Sequence, residues 1–276
     1  ASTTDALIEN FRKGTMEKFG ASYETLASAN PRLIYCEISG FGRSGPYADR
    51  GGFDLVAQAM SGMMAVTGEA EGRPPVKAGV PVGDIGAALY AVIGILAALA
   101  QRERTGRGQR VDTSLFEAAA SFMSWPASMH LADGKAPPPM GSAHPLDAPY
   151  QAFEAADGWF VVGAATQANW LRLLEVLERP SLADDPRFIA NPDRVANLRE
   201  LVEELTPIFL QRSRSYWMQR LDDAGVPTGP INSVADMLSD PQLLARGMLT
   251  RSWHENHDEL TTLGTPLTFS EADTTQ

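Results

Sequence analysis

One cysteine and four histidines among 276 residues leave this chain little for two kinds of chemistry. Cys36 has no second cysteine for an intrachain disulfide and no companions for a cysteine-based zinc site, which fits a reducing cytoplasm. No histidines stand at His-Glu-x-x-His or other ligand spacing, so metal catalysis has little to build on. Positive charge is also short: 23 Lys and Arg face 34 Asp and Glu, a formal net charge of -11. Nucleic acids and anionic membrane surfaces need clustered cations, so this balance argues against both as partners, while a local basic pocket for an anionic cofactor stays open. The apolar run 86–100 falls short of the roughly 20 residues of a membrane span, and the first residues do not resemble a signal peptide. No flavin or nicotinamide signature appears.

What is present is apolar mass and an alternating pattern. At 44% hydrophobic the chain is rich enough for a sizeable core, and its length suggests about two domains. Residues 5–11 read as a short buried strand, 16–30 as a helix, 33–39 as a strand, and 54–64 as a helix. The apolar stretch after Asp84 predicts a buried helix, followed by a strand at 109–113 and a helix over 115–131. This alternation points to a parallel α/β layer. Residues 133–149, with Pro137-Pro138-Pro139 and Gly141, break all periodicity and form the linker. Beyond it, 150–153 and 159–163 predict paired strands about the Asp157-Gly158 turn. Helices follow at 167–177, 195–211, 215–224 and 234–238, and strand character returns over 248–269. The expected organisation is an α/β domain over 1–132, the linker over 133–149, a smaller α+β domain over 150–247, and a terminal segment over 248–276 returning toward the large domain.

Asp84 stands out. It opens the long apolar helix, and the run Gln101 to Arg110 closes that helix with cations and glycines. A carboxylate there can take an orphan backbone N–H and sits at the positive end of the helix dipole, so its plain role is an N-cap. The glycine loop from Gly40 to Gly45 approaches a ligand by its backbone or is a tight turn, and 104–110 reads as a solvent turn before a phosphate site.

Several segments fall in one order: Glu9-Asn10-Phe11-Arg12-Lys13-Gly14, Ile38-Ser39-Gly40-Phe41-Gly42-Arg43-Ser44-Gly45-Pro46, Gly52-Phe53-Asp54-Leu55-Val56-Ala57-Gln58-Ala59, the Asp84 helix with Arg104-Thr105-Gly106-Arg107-Gly108-Gln109, His144-Pro145 with Ala148-Pro149-Tyr150, and Gly225-Val226-Pro227-Thr228-Gly229-Pro230. Together, over nearly the whole chain, they resemble the family III CoA-transferases. That resemblance implies a Rossmann-like large domain with a smaller α+β domain, an interlocked homodimer, and coenzyme A as the acyl-CoA substrate with a small carboxylate as acceptor. It further implies Asp84 as nucleophile, forming an aspartyl acyl anhydride and then an aspartyl-CoA thioester, which is compatible with capping. Helix-start N–H groups and nearby glycines are the expected oxyanion donors. The resemblance assigns Asn10, Phe11, Arg12 and Lys18 to coenzyme A, against the plain reading of a helix start with solvated cations. It also brings His144 and 226–230 to the active-site side.

Racemases of the same superfamily are similar in carrying histidine in a Gly-His-Asp motif opposite the same aspartate. Gly52-Phe53-Asp54 puts phenylalanine there, and Phe53 accepts no proton. Lys13 replaces a frequent proline, and Ser142 stands where asparagine is usual. Family members normally begin with another strand-helix-strand segment. The resemblance therefore leads to the expectation of a shortened chain, of a separate polypeptide supplying that part, or of a non-catalytic CoA-binding subunit.

Overall fold

The computed structural model describes residues 3–255 and 258–271, and the chain parts into two compact units, Ala1–Ser142 and Ala143–Gln276. In the first unit the chain runs β1 (Ala6–Glu9), α1 (Thr15–Lys18), α2 (Tyr23–Ala29), β2 (Ile34–Ser39), α3 (Asp54–Met60), α4 (Met63–Val66), α5 (Val82–Thr105), β3 (Arg110–Ser114), α6 (Leu115–Ser121) and α7 (Ser124–Asp133). Its three strands form a parallel sheet in the order β1-β2-β3, with Cys36 opposite Ile8 and Val111.

Ile34, Tyr35 and Cys36 are all essentially inaccessible, as expected of a central parallel strand covered on both faces. α5 packs on β2 and β3 through small residues, with Ala87, Ala91 and Ala98 buried. On the other face Tyr35 meets the ring of Tyr23 edge-on and donates its hydroxyl to the Ala21 carbonyl. Burial pushes the Cys36 thiol up to about 11, so it is an inert core group.

Three helices of this unit expected as single pieces are broken. The stretch 16–30 divides where Ser22 caps a new helix by accepting from the Thr25 N–H. The stretch 54–64 divides at Gly62, whose φ of 86° lies in the left-handed region. The stretch 115–131 divides at 122–123, four residues or fewer before Pro126, a residue that lacks an N–H and crowds the carbonyl four positions back.

α5 corrects two expectations. It runs 24 residues, because 82–85 and 101–105 extend the apolar run, so it is long and apolar enough to cross a membrane by length and composition alone. It is also not a buried helix within this chain: Ile85, Leu89, Val92, Ile93 and Leu96 form an exposed stripe.

The second unit contains β4 (Tyr150–Ala155), β5 (Gly158–Gly163), α8 (Gln167–Val176), a 3-10 turn at Pro180–Ala183, α9 (Asn191–Ala196), α10 (Leu198–Phe209), α11 (Arg214–Asp223), β6 (Thr228–Pro230), α12 (Val234–Leu238), α13 (Pro241–Ala245), β7 (Leu249–His254) and β8 (Asp258–Leu263). β4-β5-β6 is an antiparallel sheet, and β7-β8 is a separate hairpin. Its core gathers Phe153, Phe160, Trp170, Phe209 and Trp217 with leucines of α8 and α10. β6 and α13, three and five residues long, are not expected from the sequence pattern. Arg194 is fully buried here. It donates to the carbonyls of Ala148 (2.6 Å) and Phe188 (3.1 Å) and to Gln167 Oε1 (2.9 Å), and it lies over the Trp170 ring.

Candidate functional site

The carboxyl ends of the three parallel strands converge with the first turn of α5, the position where open α/β sheets bind ligands. Asn10 follows β1, Ser39 ends β2 and leads to Gly40, Leu115 follows β3, and Asp84 is the third residue of α5. These residues, with Ile38, Gly52, Phe53 and Ala88, line a cavity of about 520 Å³. A second cavity of about 390 Å³ shares Asn10, Ser39, Gly40, Gly52 and Phe53 and continues to Phe11, Arg12, Lys13, Arg43 and Arg50. The two form a cleft with a carboxylate at one end and four cations at the other. Phe53, 79% exposed, is the wall common to both.

Asp84 is not an N-cap. The cap position belongs to Pro81, and no side chain of that segment caps the helix. The capping bond comes instead from α3: Asp54 Oδ1 accepts from the Gly83 N–H at 2.7 Å. Gly83 is therefore already occupied and is not an oxyanion donor, while Ile85 N–H bonds the Pro81 carbonyl. Desolvation first, and then the like charge of Asp54, hold the Asp84 carboxyl above the ordinary aspartate value.

The cationic end rests on a charged sheet face. Glu9, Glu37 and Asp112 stand in register across the three strands. Arg43 pairs with Glu9, lies 3.1 Å from Glu37, and donates to the Phe11 carbonyl at 3.0 Å; its own N–H bonds Asp112 at 3.1 Å. Arg110 pairs with the other oxygen of Glu37. Glu9 also accepts from the Phe11 N–H at 2.7 Å, so this network fixes the turn that presents Asn10, Phe11 and Arg12. Burial pushes the Glu9 carboxyl up, against the opposing pull of the Phe11 N–H and Arg43.

Arg43 is consumed by structure, Lys13 pairs with Asp49 at 3.4 Å, and Arg50 stacks over Phe41 and Tyr47. Arg12 lies exposed beside Gly51 at the cleft mouth. The structure thus brings together Asp84, Asn10, Phe11 and Arg12. Lys18, exposed in the last turn of α1, lines neither cavity.

The glycines of the cleft are a matter of space. A Cβ on Gly40 would stand 2.7 Å from both Cα and N of Gly52, so the loops after β2 and before α3 touch backbone to backbone. Just before the turn at 104–110, Arg102 is buried and pairs with Asp5 at 2.9 Å, anchoring the helix end. His144 belongs to the second unit, where it stacks on Tyr150 and meets Asp147 at 3.2 Å. In 226–230, Val226 is core and Thr228 donates to the Val161 carbonyl.

Sequence reasoning missed Asp54 and Gln58. The signal was Asp54 in the Gly52-Phe53-Asp54 run and a glutamine four residues on, the helical spacing that lets them pair.

The model of CoA-transferase family III matches residues 1–276. The chain is 37% identical over 269 residues to a succinate–glutarate CoA-transferase of Agrobacterium fabrum, covering 98% of this chain and 67% of that protein. It is 40% identical to an acetyl-CoA:oxalate CoA-transferase of Acetobacter aceti, covering 90% of this chain and 64% of that one. A succinyl-CoA:mesaconate CoA-transferase of Haloarcula hispanica is 41% identical, with 97% and 68% covered. The crystal structure of a CAIB/BAIF family protein from Brucella suis superimposes with a TM-score of 0.87 at 43% identity, over 99% of this chain and 70% of that one. The chain spans about two thirds of the length of these curated relatives.

Proposed function

This chain belongs to CoA-transferase family III, and from that premise we propose that it moves coenzyme A from an acyl-CoA donor to a small carboxylic acid, with Asp84 as nucleophile. The observation that carries the reading is the cleft itself, in which a carboxylate free of capping duty shares a cavity wall with a cationic mouth. The Asp84 carboxylate attacks the donor thioester carbonyl, forming a mixed anhydride and releasing the CoA thiolate. The thiolate attacks the aspartyl carbonyl, giving aspartyl-CoA thioester and the donor acid. The acceptor carboxylate then displaces the thiolate to form a second anhydride, and thiolate attack on the acceptor carbonyl yields the new acyl-CoA and free Asp84. No water or oxidant is consumed, and thioester energy is kept.

Asn10, Phe11 and Arg12 are the residues we assign to coenzyme A, with Arg12 as the phosphate contact. Lys18 is assigned at most an outer, long-range attraction for the phosphates. The relatives are named for acids such as glutarate, oxalate and mesaconate, which supports a dicarboxylic acceptor. The exposed apolar stripe of α5 supports a homodimer, since a surface of that kind marks an interaction site. Phe53, at the wall between the two cavities, offers no second base, which speaks against the racemase.

The test is incubation in heavy water with a panel of acyl-CoAs and free carboxylates, read by mass spectrometry of the thioesters. New acyl-CoA species without α-deuterium are expected, and Asp84→Asn lowers their formation on the order of 10⁴-fold. An unchanged thioester that gains α-deuterium, or full turnover by the variant, overturns the proposal.

A further inference from the structure

We propose that Asp54, held by Gln58, is the positioning residue of this site: it caps α5 in place of Asp84 and so leaves the Asp84 carboxylate free for chemistry. This rests on the reading of Asp84 as nucleophile. A carboxylate in the first turn of a helix ordinarily folds back onto the orphan N–H groups there, and a carboxylate so engaged is a poor nucleophile. Here Asp54 Oδ1 takes the Gly83 N–H at 2.7 Å from outside the helix. A Cβ on Gly83 would meet Asp54 Oδ1 at 3.1 Å and Ala57 Cβ at 3.3 Å, so glycine is what admits the carboxylate to the helix end.

Gln58 fixes the other half of the device. It is fully buried, and its Nε2 donates to Asp54 Oδ2 at 2.7 Å and, more weakly, to the Val80 carbonyl at 3.4 Å. Its Oε1 accepts from the Ala78 N–H at 2.9 Å. Helix α3 and the segment entering α5 are thus tied to one carboxylate, on which the direction of the first turn of α5 depends. Asp54 also directly follows Phe53, so one short run sets both the cavity wall and the angle of the nucleophile.

Charge acts in the same direction. The neighbours of Asp84 around its cavity, Asn10, Ile38, Ser39, Phe53, Ala88 and Leu115, carry no acid or base, so Asp54 is the charge that acts on it. Its repulsion keeps Asp84 more basic, which favours attack on a thioester, and that repulsion is relieved when Asp84 is acylated.

The experiment uses the full chain with Asp54→Ala and Asp54→Asn. Asp54→Ala removes cap and tie, and kcat is expected to fall on the order of 10²-fold with the KM for acyl-CoA little changed. Asp54→Asn keeps an acceptor for the Gly83 N–H but loses the charge and the Gln58 bond. It is expected to lose only about 10-fold, as for one hydrogen bond, with the acid limb of its pH profile moved to lower pH. Because Asp54→Ala can fail to fold, the pH shift of Asp54→Asn carries the test by itself. Wild-type kcat in Asp54→Ala, or an unmoved acid limb in Asp54→Asn, overturns the inference. Peptide mass mapping after exposure of the wild type to acyl-CoA separates the two layers. No adduct on Asp84 refutes the nucleophile; an adduct there that forms at the same rate in Asp54→Ala refutes only the role of Asp54.

Discussion

Gly40→Ala adds one methyl group whose nearest neighbours are backbone atoms of Gly51 and Gly52, and the structure says it should cripple the cleft. The backbone at Gly40 is ordinary, so alanine meets no conformational penalty of its own. The new Cβ would lie 2.7 Å from Gly52 Cα and from Gly52 N, about 0.7 Å inside ordinary van der Waals contact. Both neighbours are backbone atoms, and neither can rotate away as a side-chain tip does. The loop before α3 must therefore retreat by roughly that amount, and it carries Phe53 and then Asp54 with it. Overpacking of this kind costs about 1–3 kcal/mol, a fall of about 3–10 °C in Tm for a unit of this size. The functional loss is larger, because the 2.7 Å bond from Gly83 to Asp54 stretches beyond useful range and Asp84 turns with its helix end; a misplacement near 1 Å costs on the order of 10²-fold in kcat. The assay is steady-state transfer beside a thermal melt, with Gly163→Ala as control, whose Cβ would stand 3.5 Å from Pro227 in ordinary contact. Gly40→Ala with kcat and Tm both equal to those of the wild type would refute the reasoning.

Two further expectations follow from the same geometry. Arg12→Gln removes an exposed cation at the cleft mouth and should raise the KM for acyl-CoA by about 10-fold while leaving kcat nearly unchanged, the mark of binding that ground state and transition state share; a fall in kcat at constant KM would count against a phosphate contact. Arg194→Met strips the buried carbonyls of Ala148 and Phe188 of their donor and should cost about 2–4 kcal/mol in chemical denaturation. Arg194→Lys should not restore it, since an ammonium cannot span those acceptors, and a loss below about 0.5 kcal/mol would refute the assignment.

Much of the architecture was legible because its determinants are local. The strands β1, β2 and β3 announce themselves as short apolar runs between helical stretches, and the Asp157-Gly158 turn marks the β4-β5 hairpin. Helix breaks were harder to see. Apolar spacing continues across Gly62 and across the 122–123 junction, so periodicity joins what a left-handed glycine and Pro126 divide. The strand β6, three residues long, has too few residues to show any period. In the cleft, the end of β1 puts Asn10, Phe11 and Arg12 along one cavity, whereas Lys18, equivalent on paper, sits in the last turn of the short α1 and lines neither cavity.

By itself the sequence determined the acidic balance, the single cysteine, the parallel α/β pattern, the family, and the aspartate at the start of a long apolar helix. Each is a property of residue types and of their spacing along the chain. Only the tertiary structure decided what that aspartate is free to do. The helix start that Asp84 is expected to cap is capped instead at the Gly83 N–H by Asp54, on another helix thirty residues before Asp84, and Gly40 meets Gly52 across two loops. The exposed stripe of α5 is likewise a fact of which side the sheet occupies. A hydrogen bond and a steric contact depend on distance in space, and distance along the chain does not report it.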